Sequence, residues 1–223
     1  MRRLETIVWW FFLIWASVGI VTLSLGHIRL PAALAWADAF FIVLAAINVF
    51  FIILKSEGFR VTLISFLIII LGSALVETCG ALTGWPFGAY SYTDHLGWKV
   101  GNVLPFTIPL AWWVVIGLGY AIARLCFPKI SRGIAALLCG IWAALFDMLL
   151  EPFAWEVKQY WIWESGRVPW NNYFSWFATA FLLCWLCPWK TQPRVEEKGR
   201  LAIVASLMGL TFWVGIVISI LKK

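Results

Sequence analysis

Seven long apolar runs, separated by short polar or turn-rich breaks, dominate the chain, at approximately 7–25, 33–54, 61–81, 103–125, 133–150, 173–187 and 201–220. A bilayer core of roughly 30 Å takes about 20 helical residues. Inside lipid, a stretch of that length satisfies its own backbone only as a helix or in a closed barrel. The pattern therefore predicts an all-α fold class: a polytopic membrane protein of about seven transmembrane helices in one bundle, with 1–223 as a single integral membrane domain. The sixth run is short, and Asn171 and Asn172 stand where they can cap its start. The first run is too long for a signal-peptide core and no small-residue cleavage site follows it, so it is expected to stay as an anchor.

Lys and Arg distribute unevenly between the two sides of such a bundle. One side holds Arg2, Arg3, Lys55, Arg60, Arg124, Lys129, Arg132, Lys190, Arg194, Lys198 and Arg200, and the other holds Arg29, Lys99, Lys158, Arg167, Lys222 and Lys223, eleven against six. Cytoplasmic loops carry the excess of positive charge. The expectation is a multi-pass protein of the cell (cytoplasmic) membrane with its N-terminus in the cytoplasm and, for seven spans, its C-terminus outside.

Composition narrows the class further. With 63% hydrophobic and 13% charged residues the chain is neither a soluble globule nor a disordered tail. Five cysteines scattered over 223 residues give no disulfide framework. The net charge of +6 resides at the ends of apolar runs, which points to the anionic leaflet of a membrane and not to nucleic acid. Seventeen Trp and seventeen Phe exceed what helix packing requires.

The acidic residues segregate against the basic ones. Glu5, Glu57, Glu196 and Glu197 lie on the basic side, whereas Asp38, Glu77, Asp94, Asp147, Glu151, Glu156 and Glu164 lie at or near the other. Glu77 falls near the end of the third run, and Asp147 and Glu151 fall at the end of the fifth, four residues apart and hence on one helix face. Carboxyl groups at membrane depth are costly and mark function by default. The alternative for each is solvation among headgroups, with Pro152 ending the helix. Convergence of all three with Asp94 favours a site.

The loops 84–97 and 152–170 on that side are dense in Trp, Tyr and Phe. An interfacial aromatic belt accounts for Trp9, Trp10, Trp213 and Trp189. It accounts less well for aromatic loops beside carboxyl groups, where ring faces can line an apolar slot or stabilise a cation. Asp94-His95 raises a metal site, but the only other His is His27 and none stands at helical spacing from a carboxylate, so no metal is expected. Cys184-x-x-Cys187 lacks a redox context and reads as packing cysteines. No phosphate loop, dinucleotide fingerprint or nucleophile elbow occurs, and no cofactor is expected. The last run has no internal Lys for a retinal Schiff base.

Two blocks are recognisable together. The first is Glu77-x-x-Gly80-x-x-x-Gly84-Trp85-Pro86-Phe87-Gly88-x-Tyr90-x-Tyr92-Thr93-x-x-Leu96-Gly97, followed by Ile108-Pro109-Leu110-Ala111-Trp112. The second is Asp147-x-x-x-Glu151-Pro152, then Tyr160-Trp161-x-Trp163, then Val168-Pro169-x-x-Asn172-Tyr173-x-x-Trp176. Their order, over 77–176, resembles the membrane carotenoid biosynthesis family of CruF-type carotenoid 1,2-hydratases. The sequence departs from that pattern at Glu151, where Asp is common before Pro, at Arg167, and at Ser175 in place of Gly. The resemblance implies addition of water across a terminal isoprenoid double bond without a redox cofactor. It also implies the lipid bilayer, a carotenoid, water and other enzymes of the carotenoid pathway as partners.

That chemistry suits the residues. Hydrating a trisubstituted alkene takes an acid able to make a tertiary carbocation, then water delivered to that carbon, and an acid held neutral in an apolar site can supply the proton. Asp147 and Glu151 are the expected acid pair, with Glu77 or Asp94 orienting and deprotonating the water. Trp85, Phe87, Tyr90, Tyr92, Trp112, Tyr160, Trp163, Asn172 and Trp176 are the expected substrate-binding positions, with Asn172 holding water. An isoprenoid cyclase shares the protonation step, and a small proton-coupled transporter would place carboxyl groups similarly, although no inverted repeat supports the latter.

Overall fold

The structure, a computed structural model, describes residues 2–26, 34, 36–189 and 195–221. His27, and the cations Arg29, Lys190, Arg194, Lys222 and Lys223 of the charge count, lie outside them. Among the described residues there are seven helices: α1 (Arg2–Ser24), α2 (Ala37–Glu57), α3 (Phe59–Thr83), α4 (Thr107–Cys126), α5 (Arg132–Glu151), α6 (Trp170–Leu186) and α7 (Val195–Leu221). Six are long and apolar enough to cross a membrane, and the chain is a multi-pass membrane protein. α6, the short sixth run, is not among the six. Its 17 residues reach about 26 Å, less than a hydrocarbon core.

α6 nevertheless joins the two ends of the bundle. Asn172 near its start meets Asp147 and Glu151 at the end of α5, and Arg132 at the start of α5 donates to the carbonyls of Trp185 and Cys187 at its finish. The expected cap at Asn171 or Asn172 does not form. Pro169 takes the N-cap position, and the Asn172 amide is committed to carboxyl groups instead.

α4 is the axis. Trp112 through Ala121 are all buried, because a helix apolar on every side is stable only when surrounded. Here α2, α3, α5, α6 and α7 surround it. Gly117 permits the close approach of α2, since a Cβ there would stand 2.6 Å from Val49. α3 buries one stripe, Thr62, Ser65, Ile69, Ser73, Glu77 and Gly80, and ends where Gly84 adopts a left-handed conformation and donates to the Gly80 carbonyl. α5 buries the stripe Ala135, Cys139, Ala143, Phe146, Asp147 and Glu151, so its carboxyl groups fall where the apolar pattern would place core residues.

Candidate functional site

Beyond the helices, the two aromatic loops pair. β1 (Tyr90–Tyr92) and β4 (Trp161–Trp163) form an antiparallel ribbon with Tyr90 opposite Trp163 and Tyr92 opposite Trp161. A second ribbon, β2 (Lys99–Val100) with β3 (Leu104–Pro105), leads into α4. Strand side chains alternate in direction, so the alternate residues Tyr90, Tyr92, Trp161 and Trp163 project together while Ser91 and Ile162 project away. Their rings touch, at 5.2 Å for Tyr90 and Trp163 and 6.3 Å for Tyr92 and Trp161.

Each strand serves one carboxyl group. The hydroxyls of Tyr90 and Tyr92 donate to Glu77 Oε2 at 2.7 and 2.6 Å, and the Trp112 indole donates to Oε1 at 2.7 Å. The indoles of Trp161 and Trp163 donate to Glu151 Oε2 at 3.2 and 3.1 Å. Burial, with the Glu77 carboxyl second, holds both phenols well above their ordinary range, so they remain donors. Gly80, one turn beyond Glu77, makes room for this: a Cβ there would meet Phe87 at 2.6 Å and the Tyr90 hydroxyl at 3.0 Å.

Asn172 ties the rest together. Its Nδ2 donates to Asp147 Oδ2 at 2.5 Å and to Glu151 Oε1 at 3.2 Å, bridging the two acids with both amide hydrogens. Asp147 Oδ1 is buried without a hydrogen-bond partner among the described residues, and Asp147 lies within electrostatic reach of Glu77 as well as Glu151. Glu77, Asp147 and Glu151 are 4%, 0% and 2% exposed. None forms an ion pair among the described residues, so three acids share one buried neighbourhood with neutral donors only.

Below Glu151 the helix continues as a π-helix, Pro152–Val157, in which Lys158 N–H bonds Phe153 O at 2.9 Å. Pro152 has no N–H to keep the α-helical ladder going, and such wide turns concentrate at functional sites. This turn carries Lys158 to Asp38, 2.9 Å away. Tyr160 bonds Asp38 too, and burial followed by that carboxylate pushes its phenol up.

These groups surround a chamber of about 320 Å³. Glu77, Glu151 and Asn172 line it, as do Phe87, Tyr90, Tyr92, Trp112, Tyr160, Trp163 and Trp176. Trp112 and Trp176 stack there at 4.3 Å. Asp147 stands behind Asn172 and is not part of the wall. Two expected positions fall elsewhere. Asp94 has a 94% exposed side chain paired with Lys99 at 2.8 Å, which holds its carboxyl below the usual range. Trp85 is 72% exposed and outside the wall. The turn between α3 and β1 sends Trp85 outward and Phe87 in, and Asp94 faces outward beyond β1, at the start of the short 3-10 turn Asp94–Leu96. Trp161 and the Asp38–Lys158 pair join the site unanticipated, although the Trp-x-Trp alternation was a signal for the former. Among the described residues no group of three or more His, Cys, Asp or Glu side chains is arranged to hold a metal ion.

No solved structure matches the chain. The bisanhydrobacterioruberin hydratase of Haloarcula japonica is 28% identical over 110 residues, which cover 47% of this chain and 37% of that protein. The match therefore spans well under half of the relative's length. The model of the family described as carotenoid biosynthesis protein matches residues 37–223, and the chain belongs to that family.

Proposed function

We propose that the chain is a cofactor-independent hydro-lyase that adds water across a terminal isoprenoid C=C bond of an acyclic or half-cyclic carotenoid. One observation carries the reading: Glu77 and Glu151 face one aromatic-walled chamber, and Asn172 links Glu151 to a third buried acid. Burying an ionised carboxylate costs several kcal/mol without a cation partner, so a bundle that keeps three here has another use for them.

The atoms balance simply. Glu151 gives its proton to the less substituted alkene carbon, and the π electrons form the new C–H bond, leaving a tertiary cation. Water held by Asn172 attacks that carbon, its oxygen forming the C–O bond. Glu77, fixed by three donors, takes the water proton, which returns to Glu151 to close the cycle. Ring faces of Tyr90, Trp163 and Trp176 shield the cation. With the basic end of the bundle in the cytoplasm, the chamber lies toward the outer leaflet, where a membrane-dissolved hydrocarbon meets water.

Expression in a host that makes an acyclic carotenoid tests the reading. The expected pigment is heavier by one water, about 18 Da, as alkene protonation followed by water capture requires. A pigment of unchanged mass but altered retention would identify a cyclase instead, and unchanged pigment at normal protein level would end the proposal.

A further inference from the structure

The chamber has a wall that the acid site does not use. Trp15, Ala16, Gly19, Ile20 and Leu23 line it from α1, on the residue spacing of a single helix face, and Val18 lines it beside them. α1 precedes the segment 37–223 that matches the family. It packs on α2 and α7, and Trp15 fixes it to α2 by donating its indole N–H to Ala37 O at 3.1 Å.

This wall is open. Gly19 both lines the chamber and is exposed, and a Cβ built on it meets nothing among the described residues within 4 Å. Val18 beside it is 56% exposed, and the neighbouring surface is Ile14 and Val21, at 60% and 57%. All lie within the candidate span Arg3–Ser24. Gly19 is five residues from the end of that span, or about 7 Å at the helical rise. The opening therefore gives onto hydrocarbon and not onto water.

A long polyene cannot be enclosed whole in about 320 Å³, so its chain must leave the chamber somewhere apolar. Resting on the reading above, we propose that the chamber opens sideways into the bilayer along α1, and that the missing side chain at Gly19 is the gap through which the polyene chain of the substrate passes while its end group sits at Glu151. Position 19 then decides which hydrocarbons reach the acid.

Gly19→Leu and Gly19→Trp test this, with Ile14→Trp as the control on the lipid-facing side, which does not line the chamber. Open space around position 19 predicts that both variants insert and keep the wild-type melting temperature in detergent. Hydrated carotenoid should fall with side-chain size, by about tenfold or more for Gly19→Trp, as misplacing a reacting group commonly costs. Ile14→Trp should stay within about twofold, as for an ordinary surface change. Carotenoid copurifying with each variant should fall in the same order. Wild-type turnover in Gly19→Trp beside an inactive Glu151→Gln would overturn the opening and leave the acid site standing. Full activity in Glu151→Gln as well would remove the reading and this inference together.

Discussion

At the basic end of the bundle, Glu5 and Glu197 are as buried as the acids of the chamber, at 4% and 2% exposed. There the carboxylates are answered by charge. Lys55 Nζ reaches Glu197 at 2.8 Å and also pairs with Glu5, Arg200 pairs with Glu5, and the Arg200 guanidinium lies 5.2 Å over the Trp9 ring. Two cations and two anions from α1, α2 and α7 close on one another. At the other end, Glu77, Asp147 and Glu151 are answered by two phenols, three indoles and one amide, none of them charged. The first cluster fixes its protons and joins three helices. The second holds its oxygens in place while leaving the proton inventory open, which is the condition an acid catalyst needs.

Replacing one acid in each cluster by its amide should separate the two roles. Glu151→Gln keeps the shape and can still accept from the Trp161 and Trp163 indoles through its amide oxygen, but its NH2 cannot accept from Asn172 as Oε1 does, and it removes the transferable proton. Product formation should fall by roughly 10²- to 10⁴-fold, the usual worth of a general acid, with normal amounts of protein in the membrane fraction. Asp147→Asn should lose activity in the same direction. A variant of either residue that makes product at the wild-type rate would take that residue out of the chemistry.

Glu5→Gln should do the reverse. Removing Glu5 takes away two charge-assisted hydrogen bonds, each worth about 1.5–3 kcal/mol, while Glu197 still answers the part-exposed Lys55 and Arg200. The expected outcome is a lower melting temperature in detergent with unchanged turnover per folded molecule. Loss of turnover at unchanged stability would mean that the basic cluster communicates with the chamber and is not merely a clasp.

A smaller effect is expected from Tyr92→Phe. One hydrogen bond to a charged group is worth about 1.5–3 kcal/mol, and Tyr90 and Trp112 still hold Glu77. Turnover should drop by about tenfold, in keeping with that range, and Tyr90→Phe should behave alike. A double variant falling further than the product of the two single losses would show that each phenol covers for the other's absence.

The comparison also explains what the sequence could disclose. Helix positions follow from local apolar pattern, and Asp147 and Glu151 follow from a spacing of four, so both are legible. The sixth run was legible as short for the same reason. The donors to Glu151 were not, because β1 and β4 are three-residue strands whose pairing spans some seventy positions, and no local signal fixes that register. Asn172 reads equally well as a helix cap or a bridge until α5 is seen beside it. The basic clasp stayed hidden because its members come from the first, second and last helices, each looking like an ordinary flanking charge.

Asp94 sets the lower end of the scale. Its place in the aromatic loop on the carboxyl-rich side put it among the acids, yet its carboxyl is solvated and bonded to Lys99, whose ammonium also holds the Tyr92 carbonyl at 2.8 Å. Asp94→Asn should therefore leave turnover within about twofold of wild type, as for an exposed ion pair. Lys99 draws the Asp94 carboxyl below its ordinary range in the folded protein. Its contribution to stability is then present above that ordinary range and disappears as pH falls through the folded value. Melting curves of wild type and Asp94→Asn should accordingly differ slightly near neutral pH and merge in acid. A large loss of product in Asp94→Asn would return this carboxyl to the site and mean that the loop closes over the chamber during turnover.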